Sequence, residues 1–249
     1  PRLVTVWSRV DLTEQMLAYC RKQVEELESE DLCGFIFKEG SPSSGLFRVR
    51  VYNNGMPAGS GRGLFADAVV KRFPFMPVEE EERLGDMDIR GNFIERVFAF
   101  GDWKGFLKRS KGLSDLVEFH AGRKLQVMAH SPRIYREMGR LVAEGKGMER
   151  GELFSRYQEL FLGALALHAT VKKNGNVLSH IMGYLKKQLD SGEKEELLET
   201  IHSYRESLIP LLVPVTLLKH YVTKYRQEYL VRQSYLNPHP LELMLRNHV

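Results

Sequence analysis

Residues 174–248 read NGNVLSHIMGYLKKQLDSGEKEELLETIHSYRESLIPLLVPVTLLKHYVTKYRQEYLVRQSYLNPHPLELMLRNH, the stretch in which helical periodicity persists longest. Val177, Leu178, Ile181, Leu185 and Leu189 recur at helical spacing and predict a buried helix face. His180, Gly183, Tyr184 and Lys187 fall at i, i+3, i+4 and i+7, so a second stripe sets an imidazole, a phenol and an ammonium side by side. The same residue types return at His202, Tyr204 and Arg205, then at Lys219, His220, Tyr221, Lys224 and Tyr225. Two readings follow. The stripes are solvated helix faces with a few hydrogen-bonded core histidines, or they form a polyanion surface built from His180, Tyr184, Lys186, Lys187, Arg205, Lys219, His220 and Lys224. In the second case Lys172 and Lys173 add phosphate contacts, and Tyr184 and Tyr221 offer rings for base stacking.

The 249 residues are 43% hydrophobic and 27% charged, which excludes disordered and collagen-like classes and suffices for one or two domains. Charge is unevenly spread: residues 1–90 hold 12 Lys and Arg against 15 Asp and Glu, whereas residues 91–249 hold 24 against 17. The helical part is therefore the basic part, a bias toward anionic partners that does not by itself establish nucleic-acid binding. Two cysteines, Cys20 and Cys33, give no disulfide framework and suit a reducing compartment. The longest apolar run, Leu208 to Leu218, is broken by Pro210 and Pro214 and falls short of the ~20 residues of a spanning helix. The expected location is the cytoplasm, with no membrane association. The acidic clusters at Glu79–Glu82 and Glu193–Glu196 are expected to be exposed.

The first 90 residues alternate differently. PRLVTVW reads as a strand, and Asp11 followed by Glu14 resembles the start of a capping box for the helix that follows. LCGFIFK reads as a short buried strand, followed by the loop GSPSSG, then RVRVY, an NNG turn, the glycine-rich AGSGRG, the helix LFADAVVKRF and the short strand FMPV. Strand, helix, strand, helix, strand predicts a small, mostly parallel three-stranded sheet. Such a sheet has two candidate edges and begins at Pro1 inside a strand, which predicts a missing N-terminal segment or a partner chain beside Val4, Val6 and Phe35. The expected architecture is an α/β fragment at 1–90 followed by an all-helical domain at 91–249. From Asn92 on, the expected elements are a joining helix with Trp103 near its end, a helix from a Ser114 cap to about Met128, one capped by Ser131 with Pro132 at its first position, and a long central helix containing a hydrogen-bonded core His168. About six or seven helices are expected in all.

Several of these motifs resemble known families. NVLSHIMGYLKKQL, YRESLIPLLVP, LLKHY, YLNPHPLELMLRNH and, upstream, AHSPRIYREMGRLVA are similar to the YbgA-like family, a helical domain of unassigned activity, over roughly residues 92–248. PRLVTVWSRVDLTEQM, GFIFKEGSPSSGLFRVRVY, GRGLFADAVVKRFPFMPVEEEERL and NFIERVFAF resemble the second half of the 2-thiouracil desulfurase (TudS-like) family. That resemblance implies a [4Fe–4S] cluster held by three cysteines, whose open iron takes sulfur from a thiolated base. The family motif SPSCG stands here as SPSSG, so Ser44 occupies the position of a cluster cysteine, and the other two ligands belong to the part of the family pattern that this chain lacks. A neutral hydroxyl is a poor replacement for thiolate on iron. No cofactor and no metal ligand is therefore expected in this chain, and whether it is an enzyme stays open.

Other motifs are weaker. Gly61, Gly63 and Ala66 satisfy a relaxed dinucleotide-binding pattern, but the preceding strand ends too early for it, and a lead-in to a helix explains the glycines. Ser41, Ser43, Ser44 and Gly45 form a better ligand loop, able to offer hydroxyls and backbone N–H groups to an anion at the end of a parallel strand. Three function classes remain: a recognition or accessory protein for RNA, tRNA or a thiolated nucleobase; a thiouracil desulfurase active only in a full-length parent; and a non-catalytic interaction scaffold.

Overall fold

The computed structural model describes residues 2–53, 55–239 and 242; Pro1, Asn54 of the NNG turn, residues 240, 241 and 243–248 of the YLNPHPLELMLRNH motif, and Val249 lie outside the described residues. The chain divides into two compact units, and the division falls between Gly101 and Asp102.

The first unit carries α1 (Thr13–Ser29), β1 (Phe35–Phe37), β2 (Val49–Asn53), β3 (Met56–Gly61), α2 (Leu64–Arg72), β4 (Val78–Glu80), a 3₁₀ turn (Glu82–Gly85) and the start of α3 (Met87–Arg109). β1 and β4 pair in parallel, with Phe35 opposite Val78 and Phe37 opposite Glu80. β2 and β3 form a separate antiparallel hairpin whose register is irregular between Val51 and Tyr52. Val24 of α1, Phe37, Leu46, Ala66 and Val69 of α2, and Met76 make the buried core. The α/β character holds, but the three-stranded sheet does not: parallel pairing is confined to two strands, and the PRLVTVW segment is no strand. It contributes one antiparallel bridge, Val4 to Asp11, because the chain doubles back at once. Val10 N–H donates to Thr5 Oγ1 at 2.9 Å, Thr5 and Ser8 hydroxyls meet at 2.6 Å, and Arg9 adopts φ 55°. Such local side-chain bonds compete with ladder formation, and Val6 and Trp7 are left exposed. The glycine-rich stretch read as a lead-in to a helix first supplies the end of β3 and then, at Gly63, the cap of α2.

The second unit is helical: the end of α3, α4 (Leu113–His130), α5 (Pro132–Glu144), a 3₁₀ turn (Gly145–Gly147), α6 (Arg150–Leu165), α7 (Val171–Leu185), α8 (Ser191–Arg205), α9 (Leu212–Lys224) and the short α10 (Glu228–Val231). Ser131 caps α5 as its sequence predicts, accepting from Ile134 N–H at 3.2 Å with Pro132 at the first helical position. Ser114 caps nothing, since α4 begins one residue before it at Leu113. The long central helix stops at Leu165, and VKK opens α7 behind a Thr170 cap. One core gathers Leu125, Val177, Leu178, Ile181, Leu185, Leu197, Ile201, Leu218 and Val222 from α4, α7, α8 and α9. An aromatic cluster surrounds Trp103, which stacks on Phe106 at 5.0 Å and on Tyr157 at 5.2 Å. His168 is exposed, not core; among the described residues the buried histidines are His120 and His130. The reason lies in helix length: His168 falls in the loop beyond α6, off the periodic face. Among the described residues, no helix is long and apolar enough to cross a membrane.

Candidate functional site

The Ser41–Gly45 loop follows β1 and runs across the start of α2. Ser43 carbonyl accepts from Phe65 N–H at 2.8 Å, and Gly45 carbonyl accepts from Gly63 N–H at 2.8 Å. A Cβ on Gly63 would lie 2.4 Å from Ser43 backbone atoms, so only glycine permits this crossing. The loop closes on itself as well: Ser44 N–H donates to Ser41 Oγ at 3.2 Å, Gly45 N–H to Ser41 carbonyl at 2.8 Å, and the Ser41 and Ser43 hydroxyls lie 3.1 Å apart. The backbone N–H groups of Ser44 and Gly45 thus already have acceptors. At the N-terminus of α2, the N–H groups of Phe65 and Ala66 are engaged by Ser43 carbonyl. Glu80, fully buried at the end of β4, accepts from Leu46 and Phe47 N–H at 2.7 and 2.9 Å and fixes the exit of the loop. Beside it opens a cleft of about 460 Å³ lined by Arg48, Arg62 and Arg83 among others. Arg62 lies 3.7 Å from Asp67, and Arg83 pairs with Glu79 at 2.7 Å. Glu79 and Glu80 are buried, contrary to the expectation of an exposed acidic cluster, because each has a specific donor set to answer it.

Ser44 stands at the position matching a family cluster cysteine, and the two cysteines of the chain are Cys20 and Cys33. Ser44 offers a hydroxyl. Cys20 is buried on α1, where desolvation raises its thiol pKa, and Cys33 Sγ sits 3.3 Å from where a Cβ on Gly101 would lie. Neither thiol belongs to the serine loop, and no group of three or more His, Cys, Asp or Glu suited to a metal ion occurs among the described residues.

In the helical unit the second stripe of α7 stands where its spacing puts it, opposite a fully buried face of Val177, Leu178, Ile181 and Leu185. His180 meets Tyr184 edge-on at 5.3 Å, and Tyr184 meets Tyr229 of α10 at 5.2 Å. Tyr184 remains 42% exposed. Lys186 and Lys187 follow at the helix end, exposed and without a carboxylate partner among the described residues, as is Lys219 on α9. His220 is exposed too, its ring 5.3 Å from that of Tyr221. Two candidates belong elsewhere. Arg205 lies over Gly175 and donates to Gly175 carbonyl and Ser179 Oγ, both at 3.1 Å, fastening α8 to α7. Lys224 donates to Glu193 Oε1 at 2.5 Å.

Glu193 organises that second set. It closes a capping box with Asp190 and also accepts from Tyr225 OH at 2.6 Å. The bonds from Lys224 and Tyr225 hold its carboxyl down at about 2. Tyr221 OH donates to Glu196 Oε2 at 2.5 Å, and that bond pushes the phenol up to about 12. Tyr221 is therefore a buried hydrogen-bond donor and no free stacking ring. Tyr229 is the ring beside Tyr184 that stripe reading misses. Tyr221, Tyr225 and Tyr229 recur every four residues, a signal present in the sequence but interrupted by the turn between α9 and α10.

Comparison with known proteins gives two matches along the chain. Residues 1–81 match the family 2-thiouracil desulfurase, and residues 124–240 match the family described as protein of unknown function (DUF1722). The uncharacterized protein YbgA of Escherichia coli (strain K12) is 30% identical over 153 residues, which cover 61% of this chain and 90% of that protein. No solved structure matches.

Proposed function

The chain belongs to the DUF1722 family of YbgA-like proteins, and from that premise we propose that it recognises RNA or a thiolated nucleobase through the exposed stripe of α7. The observation that carries this reading is the ring group His180–Tyr184–Tyr229 bordered by Lys186 and Lys187, two exposed ammonium groups with no carboxylate partner among the described residues. A half-exposed tyrosine held between two other rings keeps a face available for a base, and free lysines at the helix end answer phosphates. Arg205 and Lys224 position this face and do not touch the ligand. The desulfurase-like segment makes a thiolated base the natural candidate among nucleobases. No desulfurisation step is proposed for this chain, which carries Ser44 where the family pattern has a cysteine.

The test titrates the whole chain against a labelled single-stranded RNA at two salt concentrations. Affinity falls steeply with salt, as counterion release requires, and Lys186→Glu with Lys187→Glu lowers the salt slope by about two. Tyr184→Ala weakens binding by about 1–3 kcal/mol if a base stacks on the ring. Retention no stronger than that of an unrelated protein of equal charge, at both salts, would favour the interaction-scaffold reading and end this one.

A further inference from the structure

A second cleft, of about 460 Å³, opens where the last turns of α3 meet the first turns of α4. All its lining residues fall between Asp102 and Arg123, inside the helical unit and between the two segments that match known families. Its wall is the ring pair Phe106 and Phe119, 4.8 Å apart. Two donors there have no acceptor. Ser110 is 8% exposed and its Oγ makes no hydrogen bond; the Nε–H of Arg123 is likewise buried and unanswered. Buried polar groups are nearly always satisfied, so two orphans lining one cleft call for a partner that is not protein.

Charge decides what kind. Asp102 is neutralised by Arg123 NH2 at 2.5 Å, and Glu118 faces Arg232 at 3.8 Å. Asp115 accepts from Lys111 backbone N–H at 2.5 Å and keeps one negative charge. Against it stand the side chains of Arg109 and Lys111, both exposed and both without an acidic partner among the described residues. The α4 N-terminus adds its own positive end, and Gly112 at its cap has no side chain to satisfy the first N–H groups. Unanswered donors, two free cations and an uncapped helix start lie against an aromatic wall. We propose that this cleft binds a small organic anion, a phosphate or carboxylate carried on a planar ring, with the acid group at Arg109, Lys111 and Ser110 and the ring on Phe106 and Phe119.

Trp103 supplies the readout, because it stacks on Phe106 at 5.0 Å and meets Phe119 edge-on at 5.5 Å, whereas the other tryptophan, Trp7, is 96% exposed. Phenyl phosphate titrated into the whole chain should change Trp103 emission saturably, at least tenfold tighter than benzylamine, which keeps the ring and reverses the charge. Benzoate should bind as well, since the shared chemistry is an anion on a ring, and comparison of the two tells which acid the cleft prefers. Arg109→Gln with Lys111→Gln, both on the surface, should weaken phenyl phosphate at least tenfold, and Ser110→Ala should weaken it by a smaller factor without changing the far-UV circular dichroism. No saturable change at millimolar phenyl phosphate would overturn the proposal. So would equal binding of benzylamine, or an unchanged affinity in the double variant.

Discussion

Lowering the pH from 7 to 4 should destabilise the helical unit, and His120 is the reason. The residue is 4% exposed, its Nδ1 lies 3.3 Å from Tyr157 OH, its ring meets that of Tyr157 edge-on, and its Nε2 has no partner. Burial, aided by Lys124, depresses its pKa from 6.5 to about 4. Between these values the unfolded chain binds a proton that the folded one refuses, so stability is complete above about 6.5 and drains away as pH falls through about 4. At about 1.4 kcal/mol per tenfold change in proton affinity, the full loss is on the order of 3 kcal/mol. That is a large part of the ~5–15 kcal/mol that holds a typical domain together.

Urea unfolding followed by tryptophan emission isolates the event. Trp103 packs on Tyr157, the residue His120 touches, while exposed Trp7 reports solvent in both states. With a slope of about 1–3 kcal/mol per molar urea, the midpoint should drop by roughly 1–3 M between pH 7 and pH 4. His120→Phe removes the titration and the unsatisfied nitrogen together, so its midpoint should change little over the same range. A wild-type midpoint that holds steady down to pH 4.5, or a His120→Phe variant that loses stability in parallel with the wild type, would show that the imidazole is not the group responsible.

The helical half was legible because one rule governs it. A period of 3.6 residues assigns Val177, Leu178, Ile181 and Leu185 to the core and His180, Tyr184 and Lys187 to the surface, and each is found there. What periodicity does not carry is the pairing of charges across helices. Lys219 and Lys224 look alike in sequence, yet only Lys224 meets Glu193, a partner 31 positions away on α8. The N-terminal part was legible in class and not in topology. Its short strands leave little pattern, and the decisive contacts are backbone crossings: Ser43 over Gly63, and Glu80 holding Leu46 and Phe47. GRG read as a lead-in to a helix is correct as far as it goes, since Gly63 is the cap of α2. That the cap must be glycine appears only when the second strand of backbone is in place.

Two further outcomes follow from these contacts. Gly63→Ala places a methyl 2.4 Å from Ser43 carbonyl and forces the loop off α2, threatening the bonds Phe65 N–H to Ser43 and Gly63 N–H to Gly45. The cost is about 2–4 kcal/mol from overpacking and lost hydrogen bonds, read as faster amide exchange over residues 43–66; protection equal to wild type would mean that the crossing is not tight. The last concerns strong acid. Glu193 falls from 4.5 to about 2 through its bonds from Lys224 and Tyr225, so its contribution is complete above about pH 4.5 and is lost only as pH falls through about 2. This window lies below that of His120, and the two losses should appear as separate steps in the urea midpoint. Glu193→Gln should erase the lower step and leave the upper one, because an amide cannot titrate; if it erases both, the two groups titrate as one unit and the assignment of the upper step to His120 fails.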